Sequence, residues 1–278
     1  MNYRHAYHAG NFADVMKHAL MALVIEHLKQ KEKPFFWLDT HAGTGLTDLE
    51  GVEAGKTGEA AQGIARLLAL PEKPLSLAPY LDTLARLRTI HGASAYPGSP
   101  LLARALMRPG DRLMACELHP EDGETLHRLF SRDRDTKISI MDGYQAIRAF
   151  LPPKERRGGI LIDPPFENRD EFDRLWQALL DVRTRWPTGT LMLWYPVKDP
   201  SLSGALIERF ANEGPAKTLL TELHVMGGED AGRFAGSGLI IVNPPYRLDE
   251  EASSLLGWLA AHLAQGPGAR ARVEWLRT

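Results

Sequence analysis

The chain has 278 residues, 44% of them hydrophobic, with 33 Lys+Arg against 35 Asp+Glu and a single cysteine, Cys116. No apolar run approaches the roughly 18 residues of a membrane span, one cysteine cannot close an internal disulfide, and a net charge of −2 gives no global attraction to polyanions. These features exclude a helical membrane protein and a disulfide-stapled domain, and they confine any RNA or DNA contact to a local patch; without an apolar leader, the expected compartment is the cytoplasm.

In chain order, Tyr3, Arg4, His5, Tyr7 and His8 make an aromatic and imidazole-rich start. Asn11 is placed to N-cap a helix running to about residue 31, with Phe12, Val15, Met16, Ala19, Leu20 and Leu23 at 3.6-residue spacing and Lys17 and His18 in its early turns. Pro34 ends that pattern. Residues 35–39 then read as a buried strand that stops at Asp39 and enters Thr40-His41-Ala42-Gly43-Thr44-Gly45, a glycine turn that lets backbone approach a nucleoside. A dinucleotide fingerprint would want another glycine at position 48, where Asp48 stands, so the loop alone is a weak signal and an NAD-type oxidoreductase is disfavoured.

From about residue 47 to 96 the strand–helix alternation breaks into two helical patterns, near 59–70 and 77–90, which read as a small inserted helical subdomain; residues 1–46 and 97–278 form the main domain. Ser99-Pro100 is an expected N-cap and first-turn pair. The strand at 112–117 ends in Glu117, where nucleoside-binding α/β folds hold the ribose hydroxyls, and removing the insertion restores the usual spacing from the glycine loop. A strand at 137–141 leads into Asp142-Gly143, an acid placed to hold an adenine amino group. Further helices and strands follow, for a total of seven strands. Besides Arg4, His5, Lys17 and His18, candidate basic patches are Arg132/Arg134/Lys137 and Lys154/Arg156/Arg157, each of which also reads as solvated surface charge. The histidines show no spacing suited to zinc.

The most informative stretch is Ile160-Leu161-Ile162-Asp163-Pro164-Pro165-Phe166. A short β-branched strand stops at an acid and two prolines, which have no N–H for a ladder, so the main chain leaves the sheet with free carbonyls at the strand's carboxyl end. Asp163 and the Pro164 carbonyl can each accept one N–H of an exocyclic amine, and Phe166 offers a face for a flat base. The four residues resemble the [Asp/Asn/Ser]-Pro-Pro-[Tyr/Phe/Trp] signature of amino-methyltransferases. A second match, Asn243-Pro244-Pro245-Tyr246, ends the seventh strand rather than the fourth and reads as a structural turn.

The opening Tyr3-Arg4-His5, His8-Ala9-Gly10-Asn11 and Lys17-His18, with Asp39-Thr40-His41-Ala42-Gly43, Tyr96-Pro97-Gly98-Ser99-Pro100, Glu117-Leu118-His119-Pro120 and Ile162-Asp163-Pro164-Pro165, resemble the RlmJ family over nearly the whole chain. That family comprises bacterial 23S rRNA (adenine-N6)-methyltransferases. The resemblance implies an α/β, Rossmann-like class I methyltransferase with a seven-stranded, mostly parallel sheet and an inserted helical subdomain, acting as a monomer on 23S rRNA, naked or in an assembly intermediate. It implies S-adenosyl-L-methionine as cofactor, with His18, His41, Ser99, Glu117, Asp142, Gly143 and Asp163 at or around its site. Asp163, Pro164 and Phe166 would be catalytic, and Tyr3 would meet RNA, with Arg4 and Lys17 expected at its phosphates. No metal and no membrane enter this picture. Phe166 stands where tyrosine is usual in the family, keeping the ring face and losing only the hydroxyl. The alternatives are a DNA adenine-N6 methyltransferase, which shares every local motif, and a non-catalytic RNA-binding protein.

Overall fold

A computed structural model describes residues 8–51, 58–167, 170–227 and 234–278, so Tyr3, Arg4 and His5 lie outside the described residues. Asn11 caps helix α1 (Phe12–Lys29) by accepting the Asp14 N–H at 2.9 Å. Apolar residues run almost round this helix, and it is correspondingly buried on nearly every side.

The main sheet joins β1 (Phe36–Asp39), β4 (Arg112–Glu117), β5 (Thr136–Ile140), β6 (Gly158–Ile162), β7 (Thr190–Val197), β8 (Thr218–His224), β9 (Gly236–Val242) and β10 (Arg270–Arg277) in the order β5-β4-β1-β6-β7-β9-β8-β10. β5, β4, β1, β6 and β7 run parallel, β9 is antiparallel to both β7 and β8, and β10 is antiparallel to β8. The sheet therefore has eight strands, one more than the seven expected. The extra strand, β10, alternates Arg270, Arg272 and Glu274 with Ala271 and Val273 and is mostly exposed. Such a charged stretch reads as a solvated tail, although charges on an outermost strand are a common guard against edge-to-edge pairing.

Strand order reverses between β1 and β6, which opens a crevice at the carboxyl ends of the parallel strands. Two cores fill the faces of the sheet. One gathers around α1, and the other around α7 (Gly143–Phe150), α8 (Glu171–Arg185) and α9 (Pro200–Glu213).

Two short strands, β2 (Leu46–Asp48) and β3 (Ala95–Pro97), pair antiparallel and bring residues 47 and 96 together, so the segment between them begins and ends at one place. The helical pattern at 59–70 is interrupted: α2 (Glu59–Gln62) and α3 (Ile64–Ala69) meet at Gly63. A Cβ at Gly63 would lie 2.1 Å from the Gly10 carbonyl, which accepts the Ile64 N–H at 2.8 Å, so the main chain before α1 occupies the place of a continuous helical turn. After a 3-10 turn (Leu75–Leu77), α4 (Ala78–His91) packs on α1 and on α5 (Ser99–Leu106). Among these elements His18, Tyr80 and Tyr96 form a buried chain, His18 Nδ1 to Tyr96 hydroxyl at 3.1 Å and Tyr96 to Tyr80 hydroxyl at 2.9 Å. Two further helices pack on the outer strands of the sheet, α6 (Pro120–Leu129) on β5 and β4 and α10 (Leu248–His262) on β10 and β8. Among the described residues, no helix is long and apolar enough to cross a membrane.

Candidate active site

A cavity of about 550 Å³ opens at the switch point, a size that suits a ligand-binding cleft. Its floor is the loop after β1. Neighbouring strands hold that loop: Thr40 N–H donates to the Leu161 carbonyl at 3.1 Å, Ala42 N–H to the Cys116 carbonyl at 2.9 Å, and Gly43 N–H to Glu117 Oε2 at 2.8 Å. Glu117 uses its other oxygen on the His119 N–H, also at 2.8 Å, so this acid fixes the β1 and β4 loops relative to each other while lining the cavity.

Asp142 N-caps α7, accepting from Tyr144 N–H at 2.7 Å and Gln145 N–H at 3.2 Å, and pairs with Arg174 at 3.0 Å. The following residue can only be glycine, because a Cβ at Gly143 would meet the Thr40 carbonyl at 2.1 Å. The Arg174 guanidinium lies 4.1 Å over the Tyr144 ring, whose hydroxyl donates to Glu171 at 2.7 Å and whose ring meets His41 edge-on at 5.3 Å. Asp142 and Gly143 thus stand behind the cavity wall, Gly143 against the Thr40 carbonyl and Asp142 near His41, which lines the cavity. Burial pushes the His41 imidazolium down to about 4, outweighing the pull of Asp163 and Asp142, so His41 is neutral at physiological pH.

Asp163 follows β6 directly, and the chain then turns through Pro164 and Pro165 into Phe166, whose φ of 50° is rare for a bulky residue and marks a constrained turn. Edge-on contacts hold the Phe166 ring, to Phe172 at 5.0 Å and Trp194 at 5.6 Å. Trp194 is itself fixed by its indole N–H on Ser237 Oγ at 2.9 Å. Lys17 donates to Asp163 Oδ2 at 2.5 Å and pairs with Asp14 at 2.9 Å, with its ammonium 5.7 Å over the Trp194 ring. Burial alone would favour neutral lysine, but the two carboxylates outweigh it and hold the ammonium well above its ordinary range.

Behind this pair, Asp39 is fully buried, and burial, aided by the negative charge of Asp163, pushes its carboxyl up to about 7. Its partners are the Ser99 hydroxyl and, at 3.4 Å, the His41 N–H, while Oδ2 has no hydrogen-bond partner among the described residues. Ser99, expected as a helix cap, is the first residue of α5, because its hydroxyl goes to this carboxyl instead of to the helix.

His41, Ser99, Glu117, Asp163, Pro164 and Phe166 line one cavity, as does Lys17. Lys17 is not on the surface facing a phosphate, as its position in the amphipathic pattern suggests; it is 3% exposed and matched by two acids. The i,i+3 acid is visible in the sequence, but the partner 146 residues away is not. His18 is fully buried, stacked on Tyr96 and behind the cavity wall. Arg132 and Arg134 precede β5, Lys137 is its second residue, and Lys154/Arg156/Arg157 precede β6, so both clusters lie at the amino ends of parallel strands and thus at the far end of the sheet from the cavity. Asn243 follows antiparallel β9 and so lies at that far end too, its side chain donating to the Pro187 and Gly189 carbonyls at 2.9 Å each. Trp194, Phe234 and Lys198 line the cavity without having stood out in the sequence, because a strand end and a hairpin carry no local motif.

A parallel sheet reversing between β1 and β6, closed by an antiparallel β9 and β8, with a glycine loop, strand-end acids and an Asp-Pro-Pro-Phe turn around one crevice, defines a class I methyltransferase. Residues 32–277 match the family described as Ribosomal RNA large subunit methyltransferase D, RlmJ. The chain is 39% identical over 276 residues to Ribosomal RNA large subunit methyltransferase J of Escherichia coli strain K12, and 38% identical over 279 residues to the protein of that name from Haemophilus influenzae, with 99% of each chain covered in both comparisons. The crystal structure of a Legionella pneumophila protein superposes with a TM-score of 0.88 at 33% identity, covering 96% of this chain and 98% of that one. The chain belongs to the RlmJ family.

Proposed function

We propose that the protein transfers one methyl group from S-adenosyl-L-methionine to the N6 amino group of an adenine in 23S rRNA, acting as a cytoplasmic monomer on RNA that is naked or in an assembly intermediate. The observation that carries the chemistry is the Asp163-Pro164-Pro165-Phe166 turn at the carboxyl end of β6, inside the cavity and beside strand-end acids. The residues present fit the cofactor: Gly43 and Gly45 turn the loop after β1 with positive φ along the cavity, and Glu117, Ser99 and His41 offer polar groups that line it, with Asp142 behind His41. The bound cofactor supplies an electrophilic methyl on a sulfonium.

The residues of this chain do the rest by placement. Asp163 and the Pro164 carbonyl accept the two amino hydrogens of adenine and turn the nitrogen lone pair toward the methyl, while Phe166 and Trp194 confine the ring. In the free protein Lys17 occupies Asp163 Oδ2, so the incoming amine shares or displaces that contact, and Asp14 keeps the ammonium paired. The proton leaves the nitrogen after methyl transfer, with Asp163 at hydrogen-bond distance to receive it. The target base must first leave its stack, at a cost of a few kcal/mol. We further propose that residues 47–96, joined through the β2–β3 neck, act as a discrete helical insertion in a main domain of residues 1–46 and 97–278.

The test is methyl transfer from labelled S-adenosylmethionine to protein-free 23S rRNA from cells lacking the enzyme, with duplex DNA alongside, followed by nucleoside analysis. N6-methyladenosine from rRNA alone is the expected result. Label only in DNA would overturn the substrate, and no label with cofactor bound would overturn the activity.

A further inference from the structure

The cavity carries acids on both halves, Glu117 and Asp122 beside β4 and Asp163 and Glu167 after β6, and the aromatic groups Phe166, Trp194 and Phe234 stand on the β6–β7 half. Two lysines line it. Lys17 is buried and matched by Asp14 and Asp163, so its charge is neutralised within the protein. Lys198 differs in every respect: it is exposed, it stands at the cavity's edge, and it has no hydrogen bond or ion pair among the described residues.

Side chains alternate along a strand, so Trp194 and Pro196 on β7 point to the cavity face and Lys198, just past the strand end, continues that row toward solvent. The neighbouring Asp199 is turned to the N-terminus of α9, where its carboxylate accepts the Ser201 N–H at 3.0 Å and hydroxyl at 2.6 Å. Glu167 is the other acid on this side of the mouth. The row therefore reads, from inside outward, as a base-sized aromatic wall, a proline and an uncommitted ammonium.

Resting on the reading of this cavity as the site of a base methyltransferase, we propose that Lys198 holds a backbone phosphate of the nucleotide whose base enters beside Trp194, so that the polynucleotide crosses the mouth on the β7 side. Phosphate contacts fix register without reading sequence, and each one releases counterions when formed. The basic clusters at the far end of the sheet cannot serve the same nucleotide.

The experiment compares the full chain with Lys198→Gln and Lys198→Arg, measuring binding to protein-free 23S rRNA over a KCl series, steady-state methylation, and S-adenosylmethionine affinity by calorimetry. Lys198→Gln should raise KM for RNA about three- to tenfold and flatten the log–log salt slope by about 0.7, with kcat at saturating RNA and cofactor affinity within about twofold of the parent. Lys198→Arg should restore most of the RNA affinity and the slope. An unchanged slope and KM would reduce Lys198 to solvated surface charge and overturn the proposal. Weakened cofactor binding in Lys198→Gln would overturn it differently, assigning the ammonium to the carboxylate of the cofactor's methionine moiety. If the parent methylates no RNA, the activity reading fails, yet the salt slope still decides the phosphate contact.

Discussion

Asp163 is met in the free protein by a buried ammonium at 2.5 Å, and this pairing sets what its replacement should do. In Asp163→Asn the shape of the turn survives, but the amide cannot accept from both the amine and Lys17 as a carboxylate does. The expected outcome is a fall in kcat of about 10²-fold or more with S-adenosylmethionine affinity changed far less, measured by steady-state kinetics and calorimetry. Activity within a few-fold of the parent would remove Asp163 from the chemistry. A second expectation concerns Asp39. Its carboxyl is raised from an ordinary value near 3.9 to about 7, so between those pH values the folded protein holds a proton that the unfolded chain has lost. Asp39 therefore subtracts stability progressively as pH rises through that window and by a constant amount above it, at most about 4 kcal/mol. Melting of Asp39→Asn alongside the parent should show a difference in Tm that grows in the variant's favour from pH 4 to 7 and then levels. A difference independent of pH would contradict the buried carboxyl.

Of the groups at this scale, Asp163, Pro164 and Phe166 were legible in the sequence because one short motif states strand, turn, acceptor and ring together. Glu117 and Ser99 were legible as strand and helix boundaries, although not in what they bond. Lys17 was misread because a lysine on an amphipathic-looking helix is ordinarily solvated, and only the fold brings Asp163 to it. Trp194 and Lys198 had no signal beyond following an apolar run.

At the level of elements, the structure depends on close approaches and buried polar chains that periodicity does not report. α7 begins against the Thr40 carbonyl, so Gly143→Ala should push the helix start from the β1 loop and weaken cofactor binding by at least about tenfold, a loss worth 1.4 kcal/mol, read by calorimetry. Retained affinity would mean the loop yields cheaply. Tyr96 links His18 on α1 to Tyr80 on α4 inside the core; Tyr96→Phe keeps the ring and leaves both partners short of a bond. Chemical denaturation should record a loss of about 1–3 kcal/mol. The expected helices formed within a few residues of their predicted bounds where caps were present, as at Asn11. The pattern at 59–70 was cut at Gly63 by a distant piece of main chain, which no local window contains.

Seen whole, the molecule is a parallel nucleotide-binding sheet extended by three antiparallel strands, and the expected order survived apart from its outermost member. β10 was missed because the charge that keeps it from pairing with neighbours also hides it from a search for apolar runs. Its partner β8 is buried at every position from Thr218 to His224, and β10 covers it through registered pairs from Arg270 with His224 to Arg277 with Thr218. Strip residues 270–277 away and a ladder of unsatisfied N–H and C=O groups, flanked by Leu219, Leu220 and Leu223, would face solvent, the kind of edge on which chains add to one another. A shortened chain should retain its cavity yet precipitate or form large oligomers on size-exclusion chromatography; a shortened chain that stays monomeric would deny this arginine-studded ribbon any part in keeping the molecule in solution.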